Sequence, residues 1–176
     1  MGVFFMKKKI VSFLLVFSLI MPTSFFTKTA TITNLKAEVK EFKREKMNFN
    51  RDWKFIRQDI AGAERTDTND AHWYHVGLPH DFSIPYFQEM KHYTGYGWYH
   101  KNFNVDQNWI GNRISLEFDG VFHTAEVYIN GEYVDTHEGG YTGFSIDITD
   151  YVRTGNNLIA IRVNNIWKAD LAPRTG

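Results

Sequence analysis

Cysteine is absent from the 176-residue chain, and proline occurs only four times. Without thiols the chain can form no disulfide bond, no thiolate zinc site and no cysteine nucleophile. Its 43% apolar and 16% aromatic residues are typical of an ordinary globular protein and not of a disordered one. After a targeting segment is subtracted, about 130 residues remain, which suffices for one medium domain and not for two.

An excess charge of either sign is also lacking, because 20 basic residues balance 20 acidic ones. No net field would attract nucleic acid, so we expect no nucleic-acid partner. Among the seven histidines, His72 and His75 are three apart outside any helical pattern, and the others are scattered. That spacing fits no zinc site, so we predict neither a metal nor a cofactor.

Long hydrophobic runs are missing except near the start of the chain. Lys7, Lys8 and Lys9 precede an apolar run over residues 10–21, which polar residues follow. This order is typical of a secretory signal peptide, and the run is shorter than the roughly 20 residues that span a bilayer. We therefore expect a signal peptide over residues 1–30, cleaved between 24 and 37, with no stable membrane span and a secreted or cell-surface location.

Residues 31–46 are predicted to form a charged linker. Their second half mixes acidic and basic residues with too little apolar content to pack, which favours a solvated segment over a short amphipathic helix.

From residue 47 onward, apolar residues recur with the period of two that marks β-strands. Apolar and polar residues alternate over 114–118 and 144–148, which predicts two half-buried antiparallel strands. The nearly continuous apolar run over 158–163 predicts a strand buried on both faces, and 53–57 and 96–105 predict two more.

A β-hairpin is predicted where two short strands flank Asn130 and Gly131. Residues 126–129 and 132–134 alternate on either side, and Asn-Gly supplies the two positive φ angles of a type I′ turn. Many short strands without helical periodicity predict an all-β sandwich or jelly roll.

Several motifs in a fixed order give the chain a family resemblance. They are Gly-Leu-Pro-His-Asp-Phe-Ser-Ile at 77–84, Tyr-Gly-Trp-Tyr-His-Lys at 96–101, residues 116–131, Gly-Gly-Tyr-Thr-Gly-Phe at 139–144, and residues 156–165. Together they resemble the sugar-binding domain that opens glycoside hydrolases of family 2, the β-galactosidase-like enzymes. We therefore assign residues 47–176 to such a domain.

The resemblance implies a galactose-binding-like jelly-roll sandwich, fused in the family to immunoglobulin-like domains and a catalytic (β/α)8 barrel. The barrel supplies two glutamates, as a retaining glycosidase needs both a nucleophile and an acid/base. We expect this chain to be the N-terminal domain of a secreted retaining β-glycosidase that acts on a β-linked sugar, truncated before its C-terminal domains and inactive alone. Whether it counts as an enzyme is left open, and a free-standing carbohydrate-binding module is the alternative.

The resemblance also implies a closing strand after Gly176. We therefore expect an unpaired edge, or a gap over apolar core surface, in this chain. After Asn165 the sequence departs from the β-galactosidase pattern, which leaves the substrate open.

Site residues are predicted only at the rim of the parent enzyme's sugar pocket. Position in the family points to Thr94, Tyr96, Asn164 and Asn165, although core or turn roles fit these residues equally well. No catalytic residue is expected, and none of the carboxylates Glu117, Asp119, Glu126 and Glu138 is assigned a role in catalysis.

Neighbouring residues in extended chain point to opposite faces, so His80 and Asp81 are not expected to form a dyad. We expect them to hydrogen-bond a neighbouring loop. Trp98 is predicted to be core, whereas Tyr93 and Tyr96 could either pack in the core or stack on a sugar.

Overall fold

The structure, a computed structural model, describes residues 2–7 by their backbone, together with residues 44–83 and 93–167. These residues form ten β-strands and one short 3-10 turn. The strands are β1 Gly2–Lys7, β2 Glu45–Asn48, β3 Trp53–Ile56, β4 Tyr74–Val76, β5 Tyr96–Val105, β6 Asn112–Phe118, β7 Thr124–Ile129, β8 Glu132–Glu138, β9 Phe144–Asp147 and β10 Gly155–Asn164, with the turn at Gln107–Trp109.

Two antiparallel sheets make up the fold. One has four strands in the order β2-β1-β6-β9, and the other has six in the order β4-β3-β5-β10-β7-β8. β5 and β10 pair along ten residues, from Gly155 opposite Val105 to Asn164 opposite Tyr96. This pairing lies at the centre of the six-stranded sheet and brings the start of β5 next to the end of β10. The expected all-β sandwich is confirmed.

The main core lies between the sheets. On β6, Ile114, Leu116 and Phe118 are buried, while Arg113 and Glu117 alternate with them and form ion pairs. Such alternation places one face of the strand on the core and the other toward water. The largest fully buried residues of this core are Trp53, Phe55, Ile114, Leu116, Ile129, Ile148 and Ile159.

A second, smaller cluster covers the outer face of the six-stranded sheet. Ala63 and Trp73, from the segment between β3 and β4, pack with Trp98 and Ala160 on the sheet. His100 is 1% exposed beneath this segment, and its ring lies 4.1 Å from the Trp73 ring, measured between centroids. The centre of the larger sheet is therefore buried on both faces, which explains the continuous apolar run of β10.

The predicted hairpin is present. Asn130 and Gly131 join β7 to β8 with φ angles of 54° and 88°, as a type I′ turn requires. β5, β6, β9 and β10 also lie where the pattern predicted them, to within a few residues. Among the described residues there is no helix long and apolar enough to span a membrane.

Two strands near the N-terminus lie in segments for which the sequence predicted no strand. Gly2–Lys7 falls within the predicted signal peptide, yet it forms β1 between β2 and β6. β2 begins at Glu45, so the last two residues of the predicted linker belong to a strand. The sequence did not indicate these strands because the Gly2–Lys7 stretch, Gly-Val-Phe-Phe-Met-Lys, shows no apolar-polar alternation and Glu45–Asn48 is only four residues long. Most of the signal peptide and linker, and residues 168–176, lie outside the described residues.

Candidate functional site

A cleft of about 360 Å³ opens beside the end of β10. Two segments frame it: residues 78–82, after β4, and residues 118–122, at the end of β6 and in the loop before β7. Trp53, Ile161 and Val163 also line it, and all three belong to the main core. The cleft therefore reaches the apolar interior between the sheets.

His80 anchors the first loop to the sheet. Its Nδ1 lies 2.8 Å from the hydroxyl oxygen of Tyr99 on β5. Burial, and the charge of nearby Asp81, raise the pKa of Tyr99, so its hydroxyl stays protonated and shares a hydrogen bond with Nδ1. The Asp81 carboxylate instead accepts a hydrogen bond of 2.7 Å from the Ser83 N–H. We expected both residues to hydrogen-bond a neighbouring loop, whereas here the partner of His80 lies on strand β5 and that of Asp81 lies two residues further along the same loop.

Five carboxyl groups of the described residues have a pKa that is clearly displaced from its ordinary value. A general acid needs a raised pKa to hold its proton near neutrality. Among the described residues, every carboxyl group whose pKa is clearly displaced has it lowered: Asp59, Asp67, Asp70, Glu117 and Asp147. None of these five lines the cleft, where the carboxylates are Asp81 and Asp119, one on each framing loop.

Asn165 is the one predicted rim residue that lines the cleft. Its side-chain oxygen accepts from the Gly95 N–H at 2.7 Å, and its amide nitrogen donates to the Tyr93 carbonyl, also at 2.7 Å. The Asn165 backbone N–H donates to the Gly95 carbonyl at 3.1 Å. These three hydrogen bonds hold the 93–95 loop against the end of β10, and half-buried Tyr93 packs on the main core.

Tyr96 lies beneath an ion-pair network and does not line the cleft. The Arg162 guanidinium carbon is 4.0 Å from the centroid of the Tyr96 ring. Arg162 donates to Asp59 at 2.7 Å and to Glu126 at 2.9 Å, and its pKa is raised, chiefly by the hydrogen bond to Asp59. The Tyr96 ring is thus already covered by a cation, which favours a packing role over sugar stacking.

The other two predicted rim residues flank this point. Thr94 is exposed on the loop before β5, and Asn164 ends β10 opposite Tyr96. The Asn164 carbonyl accepts from the His123 N–H at 2.9 Å. The structure therefore places the four predicted residues close to the start of β5 and the end of β10, and of these four only Asn165 lines the cleft.

Sequence reasoning missed an aromatic pair beside the cleft. Phe122 lines the cleft and is 41% exposed, and its ring centroid lies 5.9 Å from that of Tyr141, which is 69% exposed. Phe122 and Tyr141 both lie in the motifs that carry the family resemblance. Neither belongs to an alternating strand pattern from which its exposure could have been predicted. Trp98 is buried as predicted, although it packs in the outer cluster and not between the sheets. No group of possible metal ligands occurs within 44–83 and 93–167.

The fold and the cleft define the chain as a β-sandwich domain with a loop-framed opening onto its core. The family model for the sugar-binding domain of family 2 glycosyl hydrolases matches residues 62–172, which is more than half of the chain. The chain therefore belongs to glycoside hydrolase family 2 and carries that domain.

Relatives of this chain include enzymes several times longer than it is. A β-galactosidase of Thermoanaerobacter pseudethanolicus is 41% identical over 135 residues, covering 74% of this chain and 18% of that enzyme. A β-glucuronidase of Formosa agariphila is 34% identical, with 69% and 14% covered. The crystal structure of a Bacteroides uniformis β-glucuronidase superimposes with a TM-score of 0.67 at 33% identity, covering 74% of this chain and 16% of that one. The chain spans less than a fifth of each of these three.

Proposed function

We propose that this chain is the N-terminal support domain of a secreted retaining β-glycosidase of the β-galactosidase type, and that it does not catalyse hydrolysis by itself. The observation that carries this proposal is the match to a single non-catalytic domain of much longer enzymes, such as the T. pseudethanolicus β-galactosidase, of which the chain covers 18%. The Lys-rich start and apolar run over residues 10–21 support export.

The cleft supports the same assignment. A cleft lined by core residues such as Trp53 and Ile161 is typical of a surface that a neighbouring domain covers. Burial of apolar surface contributes most of the favourable free energy of such an interface. The parent enzyme's C-terminal domains are its proposed partners. A β-linked sugar would meet this domain only at the rim near Thr94 and Asn165.

A chimera tests the support role. Residues 44–167 replace the matching segment of the T. pseudethanolicus β-galactosidase, and hydrolysis of a β-galactoside is compared with that of the same enzyme lacking the segment. We expect the chimera to be at least about tenfold more active than the deletion. A chimera with Gly97→Ala, which disturbs the core, serves as a control and should lose most of the gain.

A chimera no more active than the deletion, beside a fully active parent enzyme, would contradict the support role. The experiment does not depend on export, which is tested separately by sequencing the N-terminus of the protein recovered from the medium.

The exposed aromatic pair favours one second candidate, a free-standing carbohydrate-binding module. Calorimetric titration with β-linked oligosaccharides separates the two, because a module binds sugar without the barrel. A support domain should give no binding tighter than about 1 mM. A module would bind more tightly and lose binding in Phe122→Ala or Tyr141→Ala, while Tyr133→Ala, which changes an exposed tyrosine on β8, would bind normally.

A further inference from the structure

The hairpin turn between β7 and β8 contains the only Asn-Gly dipeptide of the chain, Asn130 and Gly131. In a freely moving chain such a dipeptide loses its side-chain amide with time, because glycine has no Cβ to hinder its nitrogen. The Gly131 nitrogen forms a bond to Asn130 Cγ, the Cγ–Nδ2 bond breaks, and ammonia leaves with the proton of that nitrogen. Water then opens the resulting succinimide ring to aspartate or isoaspartate.

Hydrogen bonds hold the Asn130 side chain in the folded protein. Its Nδ2 donates to the Tyr151 carbonyl at 3.0 Å and to Asn157 Oδ1 at 2.8 Å, and its Oδ1 accepts from the Leu158 N–H at 3.1 Å. The Asn130 backbone N–H also donates to the Leu158 carbonyl, at 2.8 Å. Attack by Gly131 makes Cγ tetrahedral and expels Nδ2, so the two hydrogen bonds that Nδ2 donates cannot survive the reaction.

Packing also restrains the backbone of this turn. A Cβ at Gly131 would lie 3.8 Å from the Glu64 carbonyl oxygen and 3.9 Å from Arg65 Cα, so the segment between β3 and β4 lies against the turn. The succinimide ring includes the Cα–C bond of Asn130, whose φ of 54° belongs to the type I′ turn. Closure of the ring therefore needs a change in the backbone of the turn, which the packing opposes.

We propose that Asn130 is a deamidation site that the native hydrogen bonds keep closed, and that its product cannot regain the native contacts. The reaction begins only in molecules whose hairpin has opened locally. The fraction of such molecules is set by the free energy of that opening. Water is the only reactant that must be supplied.

A carboxylate at position 130 would oppose the groups that the amide satisfies. It has no N–H to donate, and both the Tyr151 carbonyl and Asn157 Oδ1 are acceptors. Asn157 cannot turn its amide round to donate instead, because its oxygen also accepts from the Arg153 N–H and its nitrogen donates to two main-chain carbonyls. Opposed acceptors in a part-buried site cost more than a missing hydrogen bond. Deamidation thus turns a transient opening into a lasting loss.

A second Asn-Gly dipeptide in the same molecule provides the matched control. Ile110→Asn creates one at an exposed turn, where Ile110 is 41% exposed and a Cβ on Gly111 would meet nothing within 4 Å. The full chain with this change is incubated in mildly alkaline buffer, folded or unfolded in urea. Peptide mapping by mass spectrometry then follows the replacement of amide by carboxyl at positions 110 and 130.

In the folded chain we expect position 110 to react at least about tenfold faster than Asn130, and in urea the two rates should agree within about threefold. Equal rates in the folded chain would overturn the proposal. So would a tenfold difference that persists in urea, because it would come from the neighbouring sequence and not from the fold.

A pair of destabilised variants separates local from global opening. Asn157→Ala removes one acceptor of Asn130 Nδ2 and should raise the rate at Asn130 at least about fivefold. Gly97→Ala strains the core away from the hairpin and should raise it less than about twofold. Both are measured below their melting transitions. An equal rise in the two variants would overturn the local protection.

The product is tested by Asn130→Asp, which places the carboxylate directly. We expect it to lower the thermal midpoint by about 5 °C or more, and Asn156→Asp, at an exposed position, by less than about 2 °C. An unchanged midpoint for Asn130→Asp would overturn the claim that the product cannot regain the native contacts. None of these measurements depends on export or on the support role.

Discussion

Tyr99 and His80 are joined by a hydrogen bond of 2.8 Å between the tyrosine hydroxyl and the histidine Nδ1. Through it, the central strand β5 holds the loop over residues 78–82 that forms one wall of the cleft. The Tyr99 side chain is buried against Phe55 and Phe82, with ring centroids 4.7 and 6.3 Å away. The cleft wall is thus tied to the core and not free to close on it.

Removing this hydroxyl should loosen the cleft wall. Tyr99→Phe keeps the ring packing but removes the hydroxyl that hydrogen-bonds His80 Nδ1, so we expect a loss of about 1 kcal/mol in the free energy of unfolding. Tyr133→Phe removes a hydrogen bond to Thr136 on the exposed surface and should change stability by less than about 0.5 kcal/mol. Urea unfolding of both variants measures the difference, and equal effects would contradict it.

Two aromatic rings leave no room for a side chain at Gly97. A Cβ atom there would lie 2.8 Å from Phe55 Cε2 and 2.9 Å from Phe82 Cζ, closer than any real contact. Gly97→Ala should therefore force these core rings apart and destabilise the domain by about 2 kcal/mol. At Gly77 a Cβ would come no nearer than 3.7 Å to Asn50. Gly77→Ala should leave the unfolding midpoint almost unchanged, and a comparable loss there would count against the packing explanation.

The side-chain amide of Asn157 holds the turn before β10, because both its oxygen and its nitrogen make two hydrogen bonds. Its oxygen accepts from Asn130 Nδ2 at 2.8 Å and from the Arg153 N–H at 2.9 Å, and its nitrogen donates to the carbonyls of Arg153 and Gly155. Asn157→Asp would set a carboxylate against those two carbonyls in a site that is 1% exposed. We expect a loss of about 3 kcal/mol.

The neighbouring exposed Asn156 provides the control for that change. Asn156→Asp makes the same amide-to-carboxylate change at the adjacent residue. There it affects only a 3.3 Å hydrogen bond from the Asn156 amide to the side chain of Asn102. Calorimetric melting should show a shift of less than about 2 °C for this variant and a much larger one for Asn157→Asp.

Acid should destabilise the domain through His100. Burial lowers the pKa of this imidazole, against the opposing effects of Asp70 and the Ala63 carbonyl. Burial raises the pKa of Asp70, but hydrogen bonds from Lys54 and His100 outweigh it, so that this pKa also lies below its usual value. In both cases the unfolded chain binds protons more readily than the folded chain.

The stability from His100 is therefore complete above its ordinary pKa of 6.5 and is lost as pH falls through the lower folded value. Urea unfolding at about pH 7.5 and about pH 5 should show a lower stability at the acid pH. His100→Gln should flatten that dependence, whereas His75→Gln at an exposed position should keep it. A stability that rises on acidification would show that Asp70 favours the imidazolium instead.

The parts of the fold that sequence could predict are those set by local chemistry. The turn at Asn130 and Gly131 follows from two positive φ angles, and the alternation of β6 follows from burial of Ile114, Leu116 and Phe118 on one face. Both signals are contained in a few consecutive residues. Membership of family 2 was predictable because its motifs keep their order along the chain.

The cleft depends on contacts between distant segments, which no local pattern records. The segments 78–82 and 118–122 line one cleft only because β4, β3, β5, β10 and β7 are successive neighbours in the sheet. In the same way, Tyr96 was open to a role in sugar binding until the fold placed Arg162 over its ring. Ala63 and Trp73, which cover His100, belong to a segment whose sequence shows neither strand nor helix periodicity, so no local pattern predicted this packing.

Turnover by the purified chain tests the central claim most directly. The full 176-residue chain is assayed on chromogenic β-galactosides and β-glucuronides, the substrates suggested by the names of its relatives. We expect no hydrolysis above that of buffer, since we propose that the chain is a support domain, and it matches less than a fifth of each of these relatives. Hydrolysis that copurifies with the chain and rises in proportion to its concentration would contradict the account.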